Sequence, residues 1–206
     1  MQFDKRPGER IGEVDVCQEF NVSRTPAREA LKQLCDDRLL VATPNGGYEI
    51  AGLTHVDVDE LCDALAELDT YLCRQASINR TDSELVSLTQ RMLEAATAQD
   101  TKHWSDLDHE FHRLVNAAAN NEWIAELNRL TRFRIQRFWI VTERTERLSA
   151  CSQEHVALAK AIVEGDADHA EKLAREHVEH IRESLHNMLR AVNLMTVRPS
   201  HQRPLS

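Results

Sequence analysis

The chain has 206 residues, enough for one large domain beside a small one. It carries no apolar run of about 18 residues and no secretory pattern at its amino terminus, so a membrane partner is excluded and a cytoplasmic location is expected. Its net charge of −9, from 25 Lys and Arg against 34 Asp and Glu, argues against a protein that coats nucleic acid without specificity. The five cysteines are odd in number and lack a Cys-x-x-Cys pair, so they suggest neither a disulfide framework nor a thiolate zinc site.

Pro7-Gly8 reads as a turn, and Val16, Cys17 and Phe20 recur at helical spacing over Gly12 to Phe20. Asn21-Val22 then turns the chain into a second helix, Thr25 to Asp37. The run Ser23-Arg24-Thr25-Pro26-Ala27-Arg28-Glu29-Ala30-Leu31 sets two arginines at the mouth of this helix. Thr25 suits a helix cap, and Pro26 suits the first helical position because the missing amide has no partner there. Ala30, Leu31 and Leu34 give an apolar side, and Arg24 and Arg28 lie one turn apart and clear of it, placed to read guanine edges or phosphates in a major groove.

Two β-prone runs follow, Leu39 to Thr43 and Tyr48 to Ala51, around the hairpin signature Pro44-Asn45-Gly46-Gly47. A helix-turn-helix followed by such a hairpin is a winged helix. This predicts a DNA-binding domain over 1–53, with Ser23, Arg24, Thr25, Arg28, Lys32, Gly46 and Gly47 as its contact residues. The domain holds seven basic and nine acidic residues, so its affinity depends on clustered cations and on a dimer that doubles the contacts.

From Asp57 to Met195 the pattern is helical, with breaks near Thr81, Asp100, Asn120-Asn121, Leu148 to Ser152 and Gly165-Asp166. The reading is an all-α antiparallel bundle of about six helices over 54–195 and a disordered tail over 196–206, giving a mainly α protein. Asp108 and His112 sit at i, i+4 on an apolar stripe with Val115 and Ala119. His155 shares a stripe with Leu158, Ala159 and Ile162, and His177 lies between Leu173 and Ile181. Any one of these is an ordinary core histidine, but four inward metal-capable groups are costly unless something satisfies them. A divalent ion does so: zinc first, with nickel and manganese also suited to the donor set. His180 is the substitute if His177 is displaced, and His109-Glu110-Phe111-His112 falls one residue short of a metalloprotease motif.

Arg134 falls in the stripe Leu127, Leu130, Arg134, Phe138. It either pairs with a bundle carboxylate or forks onto the carboxylate of a small-acid effector. Asn121 is either a helix cap or a ligand contact.

The chain resembles a GntR-superfamily transcriptional regulator of the FadR subgroup with an FCD ligand-binding domain. The resemblance rests on Ser23 to Leu31, on Gly46-Gly47 at the wing, on Asp108 and His112, on Glu154-His155, and on His177, 22 residues after His155. It implies operator contacts by Arg24, Thr25 and Arg28, a small carboxylate bound at a metal, and a homodimer on double-stranded DNA. Two departures stand out. Only six residues precede Pro7 where the family has a further helix, so a thinner, amino-terminally shortened reader is expected. Leu65 stands where the family has an arginine, and Asp69 where it has a glutamate, so the effector chemistry is expected to differ. The function expected is a ligand-responsive repressor rather than an enzyme. The alternatives are a metal-dependent hydrolase on the bundle or a sensor with degenerate DNA binding.

Overall fold

The computed structural model describes residues 7–79, 84–139 and 145–192, so the expected 196–206 tail lies outside the described residues. Their elements are β1 (Arg10–Ile11), α1 (Glu13–Phe20), α2 (Arg24–Asp36), β2 (Leu40–Ala42), β3 (Tyr48–Ile50), α3 (His55–Asn79), α4 (Glu84–Thr97), α5 (Thr101–Ala118), α6 (Glu122–Trp139), α7 (Thr145–Glu164) and α8 (Ala167–Val192). The described residues divide into two compact units, one made of residues 7–56 with 189–192, the other Asp57–Met188.

In the amino-terminal unit, α1 and α2 form the expected helix-turn-helix, with Asn21 in the left-handed conformation ending α1. The cap of α2 differs from expectation. Ser23 is the extended cap residue and Arg24 the first helical one, which puts Pro26 at the third position. The helix accommodates this because its first four amides lack intrahelical acceptors in any case. The buried side also shifts, to Ala27 and Leu31, while Ala30 is exposed. The core here is thin: Ala27, Leu31, Leu40, Ala51 and Leu53 are buried, and Val14, Phe20, Val22 and Leu34 remain exposed.

The wing is a three-stranded antiparallel sheet in the order β1-β3-β2. Leu40 pairs with Ile50 and Ala42 with Tyr48, while the unanticipated strand β1 adds Arg10 opposite Glu49 with a 3.3 Å ion pair. At the tip, Gly46 and Gly47 have φ of 79° and 90°, a left-handed pair that side chains disfavour and glycine adopts freely. The Thr43 hydroxyl donates to the Gly46 carbonyl at 2.8 Å and closes the turn.

The second unit is the expected helical bundle, whose core joins Leu85, Leu88 and Met92 of α4, Phe111 and Val115 of α5, and Leu158, Ala159 and Ile162 of α7. Each large apolar side chain buried this way contributes about 1.5–3 kcal/mol. Asp100 caps α5 by accepting from the His103 amide at 3.0 Å, and Gly165, at φ 78°, ends α7 before α8. One break was misread. Leu148 to Ser152 lies inside α7, where the Ser152 hydroxyl donates back to the Leu148 carbonyl at 2.7 Å and accepts the Trp104 indole N–H at 2.8 Å. A polar residue thus fits a buried helix face because both its hydrogen bonds are made internally.

Candidate metal centre and DNA-reading face

Helix α5 directs Asp108 and His112 inward because they continue the stripe of Leu107, Phe111 and Val115. Helix α7 brings His155 and α8 brings His177 to the same place, leaving the three imidazoles 6%, 1% and 3% exposed. Nε2 of His155 lies 3.2 Å from Nε2 of His112, and Oδ1 of Asp108 lies 3.2 Å from the first and 3.6 Å from the second. One imidazole nitrogen from each of His112, His155 and His177 falls within 4.8 Å of the other two.

These separations suit a metal ion. Ligand bonds of about 2.0–2.1 Å put tetrahedral donors about 3.3 Å apart. The outer contacts are suitable as well. His155 Nδ1 lies 2.7 Å from the Cys151 carbonyl and His177 Nδ1 lies 2.6 Å from the Glu154 carboxylate, which fixes each ring with Nε2 free to coordinate. Burial, and next the Arg132 guanidinium, push His112 down to about 3, so that it stays neutral and ligand-competent. Burial would raise the Asp108 carboxyl, but hydrogen bonds with His112 and His155 hold it well below the usual range and keep it anionic. A second grouping, Cys151, Glu154 and His177, is less apt, because burial pushes the Cys151 thiol up and Glu154 is engaged by His177 and His180. His180 is half-exposed, so it does not take the place of His177.

A cavity of about 40 Å³ adjoins the cluster, lined by Asp108 and His177 together with Leu65, Trp104, Arg132 and Ile135 among others. Arg132 is the arginine that reaches it, and Arg134 is not among the lining residues. The spacing predicts Leu127, Leu130, Arg134 and Phe138 as the inward stripe of α6; the Phe138 side chain lies outside the described residues, and Leu127 and Leu130 are 53% and 44% exposed. The buried stripe is Asn128, Arg132 and Ile135, and Arg134 is only half-buried. The reason lies on α3. Asp69 is 4% exposed and accepts both the Arg132 guanidinium, through Oδ2, and the Asn128 amide, at 2.6 Å on Oδ1. Burial opposes the charge on Asp69, but Arg132, together with His112, the Asn128 hydrogen bond and His177, lowers the carboxyl.

Asn121 does not line the cavity. It caps α6 by accepting the Ile124 amide at 3.1 Å, and its side-chain amide donates to the Tyr71 hydroxyl at 3.0 Å. The functional candidates missed from the sequence are therefore Arg132, Asn128 and Trp104, while Asp69, already noted as a departure from the family, proves to be the partner of the first two. The available signal was the i, i+4, i+7 spacing of Asn128, Arg132 and Ile135.

On the amino-terminal unit, Ser23, Arg24, Thr25, Arg28, Lys32, Gly46 and Gly47 are all exposed. Arg24, Arg28 and Lys32 follow one another at four-residue steps along α2. Arg28 is held by Glu13 of α1 through two hydrogen bonds of 2.8 and 3.0 Å, a partner the sequence reading did not name.

No helix of the described residues is long and apolar enough to cross a membrane. Residues 2–50 match the model for bacterial regulatory proteins of the gntR family, and residues 60–180 match the FCD domain. The chain is similar to the Nta operon transcriptional regulator of Aminobacter aminovorans, 30% identical over 183 residues that cover 87% of this chain and 85% of that one. It is similar to the HTH-type transcriptional repressor RspR of Escherichia coli strain K12, at 24% identity over 87% and 80% of the two chains. In fold it matches the E. coli McbR/YncC structure, with a TM-score of 0.77, 19% identity and 89% of each chain covered. Taken with the winged helix-turn-helix and the helical bundle, these matches show that the chain belongs to the GntR family of bacterial transcriptional regulators and that its helical unit is an FCD domain.

Proposed function

We propose that the protein is a ligand-responsive repressor that senses a small organic acid at a metal centre in its helical unit. The observation that carries this reading is the buried set Asp108, His112, His155 and His177 beside a cavity into which Arg132 also faces. Four protein donors leave one or two positions open on a divalent ion that takes five or six ligands, zinc being the ion best matched to three imidazoles and a carboxylate. When bound, the ion supplies a Lewis-acidic anchor for a carboxylate. The chain's own part is to orient the imidazoles, His155 through the Cys151 carbonyl and His177 through Glu154, and to offer Arg132 as a further donor.

Operator recognition is assigned to Arg24, Thr25 and Arg28 for base and phosphate contacts, with Ser23, Lys32, Gly46 and Gly47 adding contacts to the backbone. A homodimer doubles these contacts. Its support is the exposed apolar stripe Trp123, Leu127 and Leu130, at 85%, 53% and 44% exposure, on α6. The Asn121–Tyr71 hydrogen bond joins the start of that helix to α3. Effector binding at the metal is proposed to alter the spacing of the two reading helices and so the affinity for half-sites on one operator.

The test is selection of bound sequences from a random duplex library by metal-loaded protein, repeated with Arg28→Ala. An inverted repeat is expected from the native chain and no enrichment from the variant, with metal content equal in both. Retained specificity in Arg28→Ala overturns the assignment of the reading helix.

A further inference from the structure

Arg132 differs from a free cationic clamp in one respect: its charge is already matched. One guanidinium nitrogen, Nη2, is bound to Asp69 Oδ2, and the other oxygen of Asp69 accepts from Asn128. Asn128 is itself fully buried and accepts from the Asn116 amide at 3.4 Å, so the carboxylate is held by fixed donors on both oxygens. Arg132 Nε–H, in contrast, is buried without a hydrogen-bond partner. The cavity that Arg132 lines is small, about 40 Å³, and its remaining wall includes Leu65, Ile135 and Ile181. A water needs about 10–15 Å³ on this measure, so there is room for a ligand of only a few heavy atoms.

We propose that Asp69 sets the charge of the effector: the site takes a small monocarboxylate bearing one neutral hydrogen-bond acceptor, a hydroxyl or keto oxygen, and rejects dicarboxylates. The inference rests on the acid-sensing reading above and narrows it. One carboxylate goes to the metal. At the other end, the single Arg132 N–H gives a neutral oxygen one hydrogen bond without requiring a counter-charge. A second carboxylate there would be buried against an arginine whose charge Asp69 has already neutralised, and against leucine and isoleucine side chains, which is costly. An acid with no second oxygen leaves the Arg132 N–H unpaired, which also lowers affinity.

The experiment is isothermal titration of the metal-loaded full chain with propionate, its 2-hydroxy and 3-hydroxy derivatives, and malonate, with metal content measured after each titration. At least one hydroxy acid should bind about tenfold or more tighter than both propionate and malonate. Asp69→Asn, which leaves Arg132 as an uncompensated cation, should reverse the order of hydroxy acid and malonate. Malonate equal to or tighter than both hydroxy acids in the native chain overturns the inference while leaving acid sensing in place, and this holds even if the variant fails to fold. Binding of none of the four acids overturns both.

Discussion

Separating Arg132 from Asp69 should be among the most damaging changes to the helical unit. Both groups are almost wholly withdrawn from water, with side-chain exposures of 8% and 6%. Arg132→Met keeps most of the side-chain volume and removes the cation, leaving Asp69 charged with Asn128 alone. Breaking a buried pair on one side costs about 3–5 kcal/mol. For a unit of this size that corresponds to roughly 10–20 °C in Tm. Asp69→Leu should cost a similar amount, because Arg132 lies too deep to turn its charge to solvent. The double variant behaves differently. It removes both charges and leaves only the Asn128 amide without an acceptor, a cost of about 1–3 kcal/mol, less than either single change. Urea unfolding of chelator-treated protein, followed by far-ultraviolet circular dichroism and compared at matched m values, measures all four corners of the cycle. Single costs below about 1 kcal/mol, or a double variant whose loss is the sum of the two, would refute the argument that the pair acts as one buried unit.

Glu13→Gln should free Arg28, which now spends two hydrogen bonds on that carboxylate. The logarithmic salt dependence of non-specific DNA binding should steepen by about one unit; an unchanged slope would show that Arg28 already engages phosphate with Glu13 in place. A third expectation concerns acid. Folding holds His112 at about 3, against about 6.5 for a free histidine. Between those values the unfolded chain binds more protons, so the stability of the metal-free protein falls as pH drops through that window. Asp108, held low in the folded state, adds a further loss below about pH 4. Thermal midpoints in chelator at neutral, mildly acidic and acidic pH should decline in that order, and a flat series would mean that His112 is not shielded from protonation.

Much of the architecture was legible from local signals. Ser23 to Leu31, Gly46-Gly47 and the helical breaks at Asp100, Asn120 and Gly165 act through capping, backbone freedom and periodicity, which are properties of short segments. The inward placing of His112, His155 and His177 follows equally from the apolar stripes that carry them. Strand β1 was missed because its two residues carry no periodic signal, and its pairing depends on β3, almost 40 residues away. The start of α7 was missed because Ser152 reads as a loop residue until Trp104 supplies its partner.

The side chains around the cavity were settled at a longer range still. Helix α6 has an apolar stripe through Trp123, Leu127 and Leu130 and a mixed one through Asn128, Arg132 and Ile135. Periodicity alone favours burying the first. The second is buried because Asp69, 63 residues earlier in the chain, receives Arg132 and Asn128. The residue types and their spacing on each helix therefore decided which elements form, which histidines turn inward and where the reading arginines stand. The choice of arginine at the cavity and its neutralisation by Asp69 arise only when separate helices meet, because a buried charge is stable only where a partner meets it, and the hold of Glu13 on Arg28 likewise needs two helices side by side.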